Sequence, residues 1–309
     1  MSEGMERRTL LKGAAAVAGI VTAQNALPAS AQPAPGSRLA DVKLAPGVRA
    51  TVERRGQIVL IGINRPEVFN RMDPEGSRAL ALALTGYDRD DSLRCAILFG
   101  EGENFSRGVD VDARAAALRT PNAPQPADTN DLIRLSGNNP KQRLTKPIIV
   151  VAHGDTWNAG HEMFLACDIR VCSADVRFGQ DETSHARFPG GGGTIRMVRE
   201  TGWGNAMRYI LTGDHWGAEE AYRMGLVQQV LPTKEAAIAA AVALANKVAG
   251  CGPLGIKTAL ANAHLALDEG EPAAFAVNGK QYSDLYATQD FLEGRKAEAE
   301  NRPPVYQGR

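Results

Sequence analysis

The sequence has no surplus of either charge. Its 35 Lys and Arg residues are matched by 35 Asp and Glu, a formal net charge of zero. That balance argues against a nucleic-acid partner, which calls for a basic surface. Cysteine is scarce, and four residues (Cys95, Cys167, Cys172 and Cys251) cannot form a disulfide scaffold. Cys167 and Cys172 are spaced C-x4-C, with neither a second cysteine pair nor a following histidine pair. Buried thiols therefore fit better than a zinc site. No apolar run approaches the roughly 18 residues of a membrane-spanning helix. Gly190, Gly191, Gly192 and Gly193 form a glycine run, but no Gly-Lys-Ser/Thr follows and a nucleotide-binding P-loop is excluded. What remains is 44% apolar and 23% charged residues, an ordinary globular balance rather than that of a disordered chain.

The first thirty residues read as an address. Arg7, Arg8 and Lys12 precede a mild apolar stretch rich in Ala and Gly, and Ala29, Ser30 and Ala31 supply a small-x-small cleavage site. The arginine pair before x-Leu-Leu-Lys resembles a twin-arginine export signal, which implies a folded protein carried to the periplasm. The alternative is an N-terminus that is not used for export, leaving the protein in the cytoplasm. The expected organisation is a signal over 1–31, a linker over 32–50, an α/β core over 51–252 and a helical region over 253–309.

Local patterns support that division. Short apolar, β-rich runs at 58–63, 95–99, 148–152 and 169–172 read as buried strands. A helix opens at Pro74 and runs to Tyr87, and another spans about 159–166. Strands alternating with helices at this spacing argue for α/β architecture. The polar, Pro/Asn-rich stretch 114–145 reads as loop with at most one short helix. Beyond Thr194 helical patterns dominate (194–201, 204–211, 217–224, 234–249 and 253–267), interrupted by a strand expected at 226–230.

Several segments, taken in order, are similar to the enoyl-CoA hydratase/isomerase superfamily, the crotonases. They are Asn64-Arg65-Pro66 with Asn70, the F-S-x-G-x-D run from Phe105 to Asp110, and the block from Gly154 through Glu162 to Arg170. Phe178-Gly179-Gln180-Asp181-Glu182, the glycine run ending in Thr194, and Leu211-Thr212-Gly213 with Gly225-Leu226-Val227 complete the set. The resemblance implies a crotonase-like spiral of ββα units with a C-terminal helical region that builds homotrimers or hexamers.

It also implies a chemistry. Two backbone N–H groups, at Val109 and Ala159, would form an oxyanion hole for a thioester oxygen. Gly108, Asp110 and Gly160 would line the substrate site around them. Rigid amides suit this task because they need no reorganisation as charge develops, and one such donor is typically worth about 3–4 kcal/mol of barrier. Glu162 and Glu182 occupy the positions of the two carboxylates that hold and activate water in family hydratases. Burial and mutual repulsion would raise their pKa values and let the pair divide acid and base roles. The reaction implied is addition or removal of water at an α,β-unsaturated acyl thioester, with no metal or redox cofactor and with CoA only as part of the substrate. Alternatives are double-bond isomerisation, acyl hydrolysis, a non-CoA substrate, or a non-catalytic acyl-binding protein.

Other candidates carry less. His161 and His185 adjoin the two glutamates and read as structural or pocket-lining residues. Ser184, His185 and Asp181 could imitate a hydrolytic triad, but side chains so close in sequence rarely converge. In the tail, Glu298 and Asn301 stand where relatives carry Phe and Lys, so an aromatic contact and a cation toward CoA are missing, while Arg302 remains.

Overall fold

The computed structural model describes residues 47–118 and 143–309. The segment read as an export signal, and nearly all of the linker, lie outside the described residues. The same is true of the larger part of the Pro/Asn-rich stretch.

The core is a six-stranded sheet. Its strands are β1 (Ala50–Arg55), β2 (Ile58–Ile63), β3 (Cys95–Gly100), β4 (Ile148–Ala152), β6 (Ile169–Ser173) and β9 (Gln229–Leu231), in the order β1-β2-β3-β4-β6-β9. Only the β1–β2 pair is antiparallel; the other pairs are parallel. A three-stranded sheet sits beside it, ordered β5 (Asp155–Trp157), β7 (Arg177–Gly179), β8 (His215–Gly217). Consecutive strands alternate between the sheets before a helix follows: β4, β5 and α3 (Ala159–Leu165), then β6, β7 and α4 (Gly193–Thr201). That alternation is the ββα repeat expected of the fold. Helix α5 (Trp203–Thr212) comes next in the chain and leads into β8.

The inner strands β2, β3 and β4 are buried on both faces, which is why they read as continuous apolar runs rather than alternating ones. Ile58, Leu60, Ile97, Phe99, Ile149 and Val151 meet Ala237, Ile238, Ala241 and Ala245 of α7 (Lys234–Ala249). The small alanines let α7 approach the sheet closely. Side chains of opposite parity, among them Val59, Ile61, Leu98 and Val150, join Leu80 and Leu84 of α1 (Pro74–Arg89) and Met163 and Phe164 of α3 in the second core. Helix α1 starts as its sequence suggests, with Pro74 in the first turn and the Asp73 side chain accepting from the Gly76 N–H at 2.6 Å. Cys95, Cys167 and Cys172 are free and buried, as the spacing implied.

Several local expectations shift. Strand β1 begins at Ala50, inside the stretch read as linker, because it pairs with β2 along its whole length. The strand expected at 226–230 is confined to Gln229–Leu231. Leu226 and Val227 instead bury their side chains at the turn after α6 (Ala218–Arg223), where Gly225 takes φ +75°. Helix α2 (Val111–Leu118) is a short helix of the kind allowed for the Pro/Asn-rich stretch, but it begins three residues ahead of it. Strands β5, β7 and β8 have three residues each, too short for any periodicity to announce them.

The C-terminal region is helical: α8 (Pro253–Glu269), α9 (Glu271–Tyr286) and α10 (Gln289–Ala299) follow one another. Leu267, Phe275, Tyr282, Tyr286 and Leu292 are exposed there. Among the described residues no single helix is long and apolar enough to cross a membrane.

Candidate active site

The loops that follow β2 and β3 are tied together by one buried amide. Asn70, fully buried at φ +53°, donates from Nδ2 to the carbonyls of Glu101 and Asn104, at 2.8 and 2.7 Å. Its Oδ1 accepts from the Arg65 N–H at 2.8 Å. The Asn70 carbonyl accepts from Ser106 Oγ, which in turn accepts from the Gly108 N–H at 3.1 Å. The motif residues Arg65, Asn70, Ser106 and Gly108 thus form a single scaffold for the segment that ends in Val109.

That scaffold aims the Val109 amide. Val109 bridges Met72 in parallel fashion through its neighbours: Met72 N–H donates to the Gly108 carbonyl and Asp110 N–H to the Met72 carbonyl. A parallel bridge made by the flanking peptides turns the central residue's own N–H to the opposite side. Across from it, α3 begins. The Glu162 N–H donates to the Asn158 carbonyl at 2.8 Å, and in a trans peptide the following N–H points the other way. The Ala159 N–H therefore projects out of the helix N-terminus, where first-turn amides have no intrahelical partner. Neither amide has a hydrogen-bond partner among the described residues.

Two glycines bring the segments together. Gly108 takes φ +90°, and a Cβ there would lie 3.1 Å from the Ala159 nitrogen and 3.0 Å from Asn158 Cβ. At Gly160 a Cβ would stand 2.4 Å from the Ser106 carbonyl oxygen. Both serve close backbone approach. Asp110, expected to line the substrate site, has both oxygens engaged elsewhere: Oδ1 accepts from the Ala113 N–H at the start of α2, and Oδ2 pairs with Arg65 at 3.2 Å. The structure therefore gives it a loop-supporting role.

The carboxylates converge on the same region. Glu162 lies in the first turn of α3 and Glu182 in a short 3₁₀ turn after β7, and both are buried. Glu162 Oε1 accepts from the Gly191 and Gly193 amides at 2.7 and 2.9 Å. The glycine run thus turns the N-terminus of α4 toward a carboxylate, not a phosphate. Burial pushes the Glu162 carboxyl up to about 7, and the Glu182 charge adds to the rise against the two glycine amides. Burial likewise raises Glu182 above the usual range. The Glu182 charge is thus near enough for Glu162 to feel it.

Glu182 is oriented by two residues that the sequence did not single out for this role. Gln180 Nε2 donates to both Glu182 oxygens, at 3.1 and 3.0 Å. With its nitrogen so committed, the Gln180 oxygen faces His161 Nδ1 at 2.5 Å and must accept from it. His161 is fully buried among Phe164, Phe178 and Trp216, its Nε2 has no partner among the described residues, and burial lowers it to about 4. A second ring proton would have no acceptor, so His161 stays neutral and fixes the amide. Ser184 and His185 are both exposed, and Ser184 Oγ does reach His185 Nδ1, at 3.0 Å. Asp181 approaches that same nitrogen, at 3.9 Å, so no relay passes through the ring. Geometry, rather than sequence separation, excludes the triad.

A model of the family described as enoyl-CoA hydratase/isomerase matches residues 53–309. The chain belongs to the enoyl-CoA hydratase/isomerase family. It is 32% identical to the enoyl-CoA hydratase EchA19 of Mycobacterium tuberculosis, over 85% of this chain and 98% of that one. It is 31% identical to the (E)-benzylidenesuccinyl-CoA hydratase of Thauera aromatica, over 84% and 98%. Among solved structures, an enoyl-CoA hydratase from Mycobacterium tuberculosis H37Rv superposes with a TM-score of 0.75 at 33% identity, covering 85% of this chain and all of that one. As a family member the chain has the α/β crotonase fold with its helical C-terminal region.

Proposed function

We propose that the protein is an enoyl-CoA hydratase, adding water reversibly across the double bond of an α,β-unsaturated acyl thioester. The observation that carries this reading is the buried pair Glu162 and Glu182, the charge of the second raising the first, in a site that also presents the free amides of Val109 and Ala159. Relatives named as hydratases support it.

The chemistry follows from the parts. The thioester oxygen accepts from the Val109 and Ala159 amides, which draws electron density out of the conjugated double bond. Water is held between the carboxyl groups, and the ionised one takes its proton as the new C–O bond forms at the β-carbon. The electron pair of the C=C bond moves toward the α-carbon and the thioester oxygen, giving an enolate that the two amides stabilise. The protonated partner then delivers a proton to the α-carbon. The raised pKa of Glu162, about 7, keeps both protonation states accessible near neutrality.

The test is hydration of crotonyl-CoA by the purified protein, followed as loss of the enoyl-thioester absorbance. Turnover is expected; saturable binding without turnover would instead establish an acyl-binding protein. Repeating the assay with the matching pantetheine thioester addresses the carrier. Arg302 is bound by Glu293 at 2.6 and 3.0 Å and by Glu300 at 2.6 Å, so the remaining tail cation is internally neutralised. The tail is therefore expected to contribute little to the nucleotide end of CoA, and the two substrates should differ modestly in KM.

Two further readings belong to the proposal. The exposed apolar side chains of α8–α10 suit burial in a homotrimer or a hexamer, which light scattering would size. Export of the folded protein to the periplasm rests on the twin-arginine pattern, and cell fractionation of the full chain decides it against a cytoplasmic location.

A further inference from the structure

The backbone on which the Ala159 donor depends is strained. Asn158 adopts φ +52° and ψ −122°, a combination that side chains other than glycine rarely occupy. Its ψ sets the plane of the peptide whose N–H belongs to Ala159. Such a conformation persists only where the surroundings over-determine it, and here they do so through a second carboxylate.

We propose that Asn158 and Asp181 form a positioning clamp that holds the Ala159 N–H in its oxyanion-binding direction and ties it to the loop bearing Glu182. Asn158 Nδ2 donates to Asp181 Oδ1 at 2.8 Å, and the Asp181 N–H donates to Asn158 Oδ1 at 2.9 Å. The Asn158 N–H donates to the Gly179 carbonyl at 2.9 Å, so side chain and main chain are both anchored to the segment that leads into Glu182. The other Asp181 oxygen accepts from His215 Nε2 at 3.1 Å, and the His215 ring packs on Trp157, the residue before Asn158, at 4.5 Å. The bonds close into a loop: Trp157 to Asn158, Asn158 to Asp181, Asp181 to His215, and His215 back to Trp157.

The residue types suit the task. A carboxamide of this length donates to the Asp181 carboxylate through Nδ2 and accepts from the Asp181 amide through Oδ1 at once. Aspartate at 158 would face a like charge. Glycine would reach the same dihedral angles freely but leave the peptide plane held by main-chain bonds alone, without the side-chain tie to Asp181. Asn158 and Asp181 touch no reacting atom; they act through the Ala159 peptide and through the backbone of Glu182.

This inference rests on the hydratase reading, and the experiment separates the two. Two readouts are used: kcat and KM with crotonyl-CoA, and the near-ultraviolet band of the enolate that a bound 3-oxoacyl-CoA forms when its carbonyl is polarised. The Asn158→Gly protein is expected to retain its melting temperature and a KM within about 3-fold, while kcat falls about 10-fold or more and the enolate band weakens. Asn158→Asp alone is expected to lose more. The exchange Asn158→Asp with Asp181→Asn restores a donor facing an acceptor between the two side chains, and the carboxamide oxygen introduced at position 181 still accepts from His215. Its kcat is expected to return to within about 5-fold of the wild type, the non-additivity that marks direct coupling. Wild-type kcat and an unchanged band in Asn158→Gly, or no recovery in the exchange, would overturn the clamp and leave the hydratase reading standing. If the wild type fails to hydrate crotonyl-CoA, that reading falls, and the enolate band across the same variants still decides the clamp.

Discussion

Asp155 and Glu162 stand on consecutive elements, β5 and α3, and both are almost wholly buried, at 2% and 3% exposure. Their surroundings differ completely. Asp155 accepts from Arg107 at 2.6 Å and from two nitrogens of Arg177 at 2.9 and 2.6 Å. The Arg107 guanidinium lies 3.7 Å from the Phe69 ring and 4.6 Å from the Trp157 ring, so this acid is neutralised inside a cation–aromatic cluster. Among the described residues no cation is bonded to Glu162; it is held by two glycine amides and faces a second carboxyl group. A buried acid with guanidinium partners holds loops together. One held by main-chain dipoles, with a like charge opposing the pull of the Arg196 charge, is poised to move a proton. Burial does not separate structural from chemical carboxylates, whereas the partner set does.

The largest expected effect tests that division directly. Glu162→Gln and Glu182→Gln should each lower the hydration rate about 10²–10⁴-fold while leaving a folded protein, measured by enoyl-thioester absorbance beside circular dichroism. Asp155→Asn should do the reverse, retaining measurable turnover in whatever fraction is folded but lowering stability by roughly 2–3 kcal/mol in urea unfolding. That figure lies below the roughly 3–5 kcal/mol of a fully buried pair, because Arg177 remains largely exposed to water. Equal effects of the three substitutions on stability would erase the distinction.

A second expectation concerns pH. The folded-state pKa of Glu162 lies above its ordinary value, so the native protein holds a proton that the unfolded chain releases between about 4.5 and 7. Stability through this group therefore falls as pH rises across that window, with the full penalty present above it. Glu162→Gln removes the penalty. The variant should be more stable than the wild type at pH 8 by about 1–3 kcal/mol and no more stable at pH 4, as thermal melts at the two pH values would show.

A smaller effect probes the spacing between the segments. Gly160→Ala forces a methyl group against the Ser106 carbonyl, so either α3 or the Ser106–Val109 segment must shift. A loss of about 1–3 kcal/mol is expected, with kcat lowered more than KM because the Ala159 and Val109 amides move apart.

Much of the architecture was legible in the sequence because the inner strands of the large sheet are buried on both faces. The runs at 58–63, 95–99 and 148–152 are apolar throughout, and Pro74 begins its helix as its fixed φ suggests. The glutamates stood out through the motif around them. Gln180 and Asn158 did not, although they lie within the quoted segments, and Asp181 drew notice only as the neighbour of Glu182 and in the rejected triad. Their roles consist of hydrogen bonds between β5–α3 and β7, and no local pattern encodes which amide will face which carboxylate. Asp110 shows the converse: its place in the F-S-x-G-x-D run suggested the substrate site, while its bonds serve Arg65 and the start of α2.

By itself the amino-acid order determined the alternation of strands and helices, the buried character of the main sheet and the family to which the chain belongs, because periodicity and short motifs are local properties. Only the folded molecule decided which peptide planes lie open, which acid main-chain amides hold and which amide holds Glu182 in place. Those outcomes depend on distances between segments far apart along the chain, set by close approach at Gly108 and Gly160.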